Sequence, residues 1–374
     1  MKSLSRRRPL VLFVTLPRSM GGSNRSIATL IVGMRPYATC ILASPGEGPF
    51  RKYCISNDVA DGYVTLPEGS RFRRILASLR LTAWVIRHRN RLTTIHAQAL
   101  TGLNIVALAA VLTRLPVVVR VSDPDSSRWG RLLGPIWRRL LRRLVVVPVS
   151  ETALDVAVLN GLCDPWEAHV VPNPVDPDDV VAIERRRRGD VVVGFLGNPS
   201  PRKGFDLLST VVSSVQSPVS WRLFTNPRAN EVPADMIDSL IRQHPVVQFV
   251  GRERDVRQAY AQVDIVFVPS RSESFSRVVA EAMLNGIPVV ASDILPHRRL
   301  LGENEAGILF PSGDGAAAAA AIDALASSQE LRAGLGKMGR LRGTAYRPEE
   351  IVRRLLPLYG ISTTLGLQDA HPVA

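Results

Sequence analysis

The sequence predicts an α/β protein made of two doubly wound domains, and three observations carry that prediction. Short β-branched runs alternate with helical stretches along most of the chain, the pattern of right-handed βαβ crossovers on a parallel sheet covered on both faces. The alternation breaks at "HVVPNPVDPDD" and "IERRRRGD", a polar, hinge-like stretch, and then restarts. Finally, 374 residues at 46% hydrophobic and 21% charged suit two domains, each able to bury its own core.

Taken in order, the first domain reads as strand "LVLFVTL", a helix from about Gly22, "TCILAS", a helix near 71–88, "TTIHA", a helix near 101–113, "PVVVRVS", a helix near 128–143, "LVVVPVS" and a helix near 151–160. The second reads as "DVVVGFLG", a helix from Gly204, "SWRLFT", a helix near 234–242, "VVQFVG", a helix near 253–262, "DIVFVPS", a helix near 276–285 and "IPVVAS". An Ala-rich helix, "DGAAAAAAIDALA", and a last helix, "RPEEIVRRLLPLYG", follow. The expected domains are 1–179 and 180–345, with a helix over 346–360 packing back on the first domain and a mobile tail over 361–374. Two such sheets facing each other leave a cleft, and open α/β sheets bind ligands at the carboxyl ends of their strands.

Composition excludes several classes. The longest apolar stretch, "LNIVALAAVLTRLPVVVR", is interrupted by Arg114 and Pro116, short of the roughly 20 apolar residues that cross a bilayer. "MKSLSRRRPLVLFVTLPRS" has a basic start but a short apolar run and no small-residue cleavage site, so it reads as a first strand rather than a signal peptide. Three unpaired cysteines, Cys40, Cys54 and Cys163, make neither a zinc site nor a disulfide framework, and cytoplasm is the expected compartment. Asp123-Pro-Asp125 and Asp176-Pro-Asp178 sit in turn-like segments that need no metal to explain them, so no metal and no cofactor is expected. Charge is uneven. Residues 1–179 carry 24 Lys and Arg against 13 Asp and Glu, and residues 71–143 alone carry 15 Arg against Asp123 and Asp125. Those arginines alternate with Leu, Ile and Trp at helical spacing, which suits either an anionic membrane surface or ordinary solvated helices. No nucleic-acid module is recognisable.

The candidate chemistry lies at strand ends. "SRSESFSRVVAEAMLNGIPVVASD" puts Glu273 in the loop after a buried strand and Glu281 eight positions on, inside a helix that Gly286 should cap. A helix N-terminus offers free N–H groups and partial positive charge to a phosphate or hydroxyl, and a carboxylate such as Glu281 can accept two hydrogen bonds from a vicinal diol. In the first domain Gly21 and Gly22 stand between strand and helix, where the backbone can approach a ligand closely.

The stretch "ESFSRVVAEAMLNGIPVVAS" resembles the donor-binding signature of glycosyltransferase family 4, retaining enzymes of the GT-B fold, in which two facing Rossmann-like domains flank a cleft. "GFLGNPSPRKGFDLL" is similar to the family's diphosphate-gripping segment: Lys203-Gly204 matches, whereas the usual arginine falls on Asn198, and Arg202 is the candidate to replace it. "TTIHAQAL" resembles the segment that brings a histidine, here His96, to the transferred sugar. "VSETALDVAVLNGLCDPWEAHVVPNPVD" keeps the family's Asn, at Asn173, with Pro174 for the usual Gly, and Gly251 and Arg252 resemble the loop that receives the nucleotide base.

The resemblance implies a hexosyltransferase moving sugar from a nucleotide-sugar to a hydroxyl with retention and without a metal. His96, Lys203 and Glu273 would be catalytic. Gly21, Gly22, Arg202, Gly251, Arg252, Ser274, Phe275 and Glu281 would bind donor, and Asn173 and Asn198 would touch substrate. The expected acceptor is lipid-linked or a polysaccharide, in cell-envelope synthesis, with the protein peripheral on the inner face of the membrane. Two alternatives stand beside this: a catalytically silent binding protein of the same fold, and a basic nucleic-acid binder.

Overall fold

The computed structural model describes residues 8–16, 21–67, 69–122, 128–176, 190–225, 234–251 and 256–362. The chain divides into two compact units, Met1–Pro174 with Pro348–Ala374, and Val175–Arg347. The division falls a few residues from the boundaries expected at 179 and 345, and the last helix belongs to the first unit.

In the first unit the strands are β1 (Leu10–Val14), β2 (Thr39–Pro45), β3 (Gly62–Leu66), β4 (Leu92–Gln98), β5 (Val117–Val121) and β6 (Leu144–Pro148). They pair in parallel in the order β3-β2-β1-β4-β5-β6. The helices are α1 (Gly22–Met34), α2 (Pro49–Ser56), α3 (Arg71–His88), α4 (Ala99–Thr113), α5 (Arg128–Leu140) and α6 (Glu151–Leu159). The N-terminal apolar run is the strand expected of it, buried along its whole length. Segments β3 and α2 escape the alternation because they are short, and β3 lies half-exposed at a sheet edge with little hydrophobic pattern to show.

The second unit holds β7 (Val191–Leu196), β8 (Val219–Phe224), β9 (Val247–Phe249), β10 (Ile265–Val268), β11 (Val289–Ser292) and β12 (Gly307–Phe310), in the order β12-β11-β10-β7-β8-β9. Its helices are α7 (Leu208–Ser214), α8 (Ala234–Gln243), α9 (Val256–Tyr260), α10 (Arg277–Leu284), α11 (Leu295–Leu301), α12 (Gly315–Ser327) and α13 (Gln329–Gly343), and α14 (Pro348–Leu355) then returns to the first unit. Both sheets thus repeat one winding, three strands out from a central switch on each side. The second unit fills both faces: Trp221, Phe267 and Phe310 anchor one core, and Tyr260, Val266 and Met283 the other. In the first unit Ile351, Val352 and Tyr359 from the C-terminal segment join Phe13, Ile27 and Leu30 in one core. A Cβ on Gly33 would stand 3.0 Å from Val352 Cγ2, so α1 and α14 lie nearly in contact there.

Gly286 ends α10 as expected, at φ +65°, with its N–H on the Met283 carbonyl and that of Ile287 on Ala282, the paired bonds of a Schellman cap. The helix expected from Gly204 begins instead with a short 3-10 turn, Phe205–Leu207, before α7. The three cysteines are buried and unpaired. Among the described residues no helix is long and apolar enough to cross a membrane.

Candidate active site

In each sheet the strand order reverses at one point, between β1 and β4 in the first unit and between β7 and β10 in the second. Loops leaving the carboxyl ends of two such strands diverge to opposite faces and leave room for a ligand. Gly21 and His96 lie beside the first point and Arg202, Lys203 and Glu273 beside the second, whereas Asn173 comes after α6 and Gly251 follows the edge strand β9.

In the second unit Arg202 and Lys203 follow β7, and Glu273 follows β10. Gly204 is what lets the loops touch. Its φ is +68°, and a Cβ there would stand 2.1 Å from the Pro269 carbonyl oxygen, so any other residue would push the lysine turn away from the β10 loop. The turn closes through Lys203 N–H donating to the Ser200 carbonyl at 3.0 Å, and Arg271 N–H donates to the Arg202 carbonyl at 2.8 Å across the two loops. A bidentate pair between Arg271 and Asp206, at 2.6 and 2.7 Å, braces the same junction; hydrogen bonding from Arg271 holds the Asp206 carboxyl below its ordinary range.

The two adjacent cations converge on one carboxylate. Lys203 Nζ donates to Glu273 Oε1, and Arg202 Nη1 lies 3.6 Å from Oε2 while also donating to the Ser272 carbonyl at 3.1 Å. Ser270 Oγ donates to Oε1 at 3.0 Å. The carboxylate is only 6% exposed, yet the Lys203 and Arg202 side chains remain 25% and 44% exposed. A lysine ammonium has three donors and Glu273 uses one. The arrangement therefore fixes positive charge toward solvent from below.

Beside it Ser276 stands at the N-cap of α10 without a side-chain cap bond, and among the described residues the buried hydroxyls of Ser274 and Ser276 have no partner. Phe275 packs its ring 5.7 Å from Tyr346. Two turns along, Glu281 is buried and held by Tyr260 Oη at 2.7 Å and Arg277 Nε at 2.5 Å. Those two donors leave further lone pairs on a carboxylate that has about four acceptor sites. Tyr260 and Arg277 were not singled out from sequence, although Arg277 stands one helical turn before Glu281. Asn198 is exposed at the end of β7, after Gly197 at φ +141°. Gly251 has φ +88°, and Arg252 lies outside the described residues.

In the first unit Gly21 caps α1 in an extended conformation and a Cβ there would meet nothing within 4 Å. His96, expected to approach the sugar, does not fit that role. It is fully buried on β4, its Nδ1 accepting from Tyr359 Oη at 2.5 Å and its Nε2–H donating to Gln98 Oε1 at 3.2 Å. Burial, with the Arg120 charge adding to it, pushes its pKa down to about 3. Both nitrogens are committed inside the unit, and the ring is neutral. Asn173 is likewise occupied: its Oδ1 accepts from Arg120 Nη2 at 3.0 Å, and that nitrogen also reaches the carbonyls of Val171 and Pro172 at 3.1 and 2.9 Å. Among the described residues no three His, Cys, Asp or Glu side chains gather as a metal would require; Asp123, Asp125 and Asp178 lie outside them.

Two parallel sheets of identical winding are those of the GT-B fold, and paired cations lie over a buried carboxylate at the second switch point. Family models agree: "Glycosyltransferase Family 4" matches residues 20–179 and "Glycosyl transferases group 1" matches residues 190–328. The chain belongs to glycosyltransferase family 4. It is 31% identical over 238 residues to a phosphatidyl-myo-inositol mannosyltransferase of Mycobacterium leprae, covering 59% of this chain and 63% of that one. It is 27% identical over 257 residues to a D-inositol 3-phosphate glycosyltransferase of Xylanimonas cellulosilytica, covering 63% and 60%. The matched stretch thus spans less than two thirds of these curated relatives. Among solved structures, Anabaena Alr3699/HepE in complex with UDP superposes with a TM-score of 0.80 at 20% identity over 94% of this chain and 99% of that one. A glycosyltransferase from Rickettsia africae gives 0.82 at 16% identity, over 94% and 98%.

Proposed function

We propose that the protein is a retaining glycosyltransferase that moves a hexose from a nucleotide-sugar to a hydroxyl of a lipid-linked or polysaccharide acceptor. The observation that carries this reading is the convergence of Arg202 and Lys203 on Glu273 where the loops after β7 and β10 meet. Breaking a sugar–phosphate bond builds negative charge on the departing diphosphate, and cations already held in place stabilise it without reorganising. Lys203 and Arg202 take the diphosphate, with the start of α10 adding its N–H groups. Glu273 and the N–H groups of Ser274 and Phe275 take sugar hydroxyls, and the remaining lone pairs of Glu281 take the ribose diol. As the bond from the anomeric carbon to phosphate oxygen breaks, the acceptor oxygen bonds to that carbon from the same face, and its proton passes to the departing phosphate.

A UDP complex of a neighbour in fold supports a nucleotide donor, and relatives named for phosphatidyl-myo-inositol favour a lipid-linked acceptor. The exposed cation at Arg202 favours an active enzyme over a silent binding protein, since it supplies charge that Asn198 lacks. The test is thermal melting of wild type against a panel of nucleotide-sugars. A true donor at 100 times its Kd stabilises by about 2.7 kcal/mol. Glu281→Ala should weaken its binding by about 1.5 to 3 kcal/mol, and unchanged donor affinity in that variant removes Glu281 from the site.

A further inference from the structure

Behind Glu273 lies a chain of buried polar groups. His297, in the first turn of α11, is completely buried, and its Nδ1–H donates to the Ser292 carbonyl at 2.8 Å. Ser292, the last residue of β11, donates its hydroxyl to the Ser270 carbonyl. Ser270, just past β10, donates its own hydroxyl to Glu273 Oε1, the oxygen that Lys203 also holds. Ser292 and Ser270 are as buried as His297. The direction of every bond is consistent: each group gives one hydrogen toward the next, and the run ends on the only anion in it. Because Nδ1 carries the hydrogen, Nε2 is a bare acceptor, and among the described residues it has no donor. Burial lowers the His297 pKa, with the Ser292 carbonyl, Glu273, Lys203 and Asp293 contributing smaller effects.

Sealed polar groups cost free energy unless each is bonded. A surface loop needs no such device to stay folded. A carboxylate that must stand at one spot does, since a misplacement of about 1 Å in a reacting site costs about 100-fold in rate.

We propose that His297 is a positioning residue for Glu273: by fixing the end of β11 it holds Ser292 against Ser270, and Ser270 holds the carboxylate that orients Lys203. The inference rests on the glycosyltransferase reading, and it adds a residue that touches neither donor nor acceptor.

The experiment combines His297→Ala, His297→Asn, Ser270→Ala and the double variant Ser270→Ala/His297→Ala. Asn offers an amide N–H where the Nδ1–H stood. His297→Ala should lower kcat by about 10- to 100-fold while donor KM moves less than about twofold, and His297→Asn should restore most of the loss. The double variant should be no slower than the worse single variant, since both break one chain. Wild-type kcat in His297→Ala overturns the proposal, as do losses that multiply in the double variant. A loss that Asn does not rescue also overturns it. The same variants are compared in urea unfolding, which needs no activity. Stability losses of Ser270→Ala and His297→Ala that add fully would show the two residues to be uncoupled and overturn the proposal. Losses that fall short of additive sustain it even if no donor is ever consumed, an outcome that would sink the glycosyltransferase reading alone.

Discussion

The two units wind their sheets identically and place polar side chains at the same switch point, yet they use them in opposite ways. In the second, Lys203 and Arg202 keep their charges partly in solvent over a buried carboxylate. In the first, Arg120 and His96 are wholly buried among Tyr359, Gln98 and Asn173, and the carboxyl group of no acidic residue stands among these partners. A shared fold sets where polar groups can gather. Whether they bind a ligand or tie the chain together depends on which segment covers them, and in the first unit it is the returning C-terminal segment. Its Tyr359 reaches His96 from 263 residues away, and its carbonyl accepts from Thr94 Oγ1 at 2.8 Å.

The largest effect that tests this contrast is in the second unit. Lys203→Ala should lower kcat by about 100- to 1,000-fold, the usual loss of one preorganised donor to a charged transition state, with a smaller fall in the urea midpoint, because the buried Glu273 carboxylate loses its lysine but keeps Ser270 and Arg202. A kcat within a few-fold of wild type would break the contrast at its strongest point.

Next in size is the mirror experiment. His96→Leu leaves Tyr359 Oη and the Gln98 side chain without their buried partner, and should cost about 2 to 3 kcal/mol in urea unfolding, with nucleotide binding by the second unit intact. A loss of donor binding without loss of stability would return His96 to the active site. The same residue predicts a pH dependence. His96 titrates near 6.5 when unfolded and about 3 when folded, so the unfolded chain holds a proton that the folded chain lacks between those values. Stability is therefore full above about pH 6.5 and falls as pH drops toward 3, by up to about 1.4 kcal/mol per pH unit. His297 is shifted down by the same cause, so the acid slope belongs to both units, and His96→Leu should reduce it without abolishing it.

Most of the fold was legible because buried parallel strands such as "LVLFV" and "IVFV" are continuous apolar runs. The elements that escaped were the edge strands β3 and β12, the short helices α2 and α11, and the 15-residue α13, whose four glycines blur its helical pattern. At the second switch point, the meeting of Lys203 with Glu273 follows from a local demand. Gly204 must let two loops touch, and the carboxylate must sit at a strand end. The burial of His96 could not be read, since what seals it lies at the far end of the chain. His297 was not singled out because its own partner, Ser292, is only five residues away, and the step from Ser292 to Ser270 and Glu273 on another loop is not announced by "LPHRRLL".

The smallest predicted effect concerns the outer surfaces. Helices α3, α4 and α5 lie side by side, with Ser78 Oγ on the Ile105 carbonyl at 2.9 Å and Trp137 Nε1 on Asn104 Oδ1 at 2.7 Å. Toward solvent they expose Phe72, Ile75 and Leu79 on α3, Leu108 and Leu112 on α4, and Leu132, Ile136 and Leu140 on α5, and Trp166 nearby is 81% exposed. Arginines at 73, 74, 80, 131, 138 and 139 stand on α3 and α5 between those apolar residues. The second unit shows a shorter row among its described residues, Leu331, Met338 and Leu341 on the single helix α13, while Val246, Val250 and Leu295 stand apart. Apolar side chains interleaved with arginine suit an anionic bilayer, into which the first insert while the second meet the headgroups. Co-sedimentation with vesicles containing an anionic phospholipid should therefore belong to the first unit and weaken as salt rises. Ile136→Asp should weaken it by roughly tenfold, the effect of one apolar side chain withdrawn from the interface, while the melting shift with donor stays at its wild-type value. Equal binding to neutral vesicles at high salt would leave the arginines without a role and make the two outer surfaces alike.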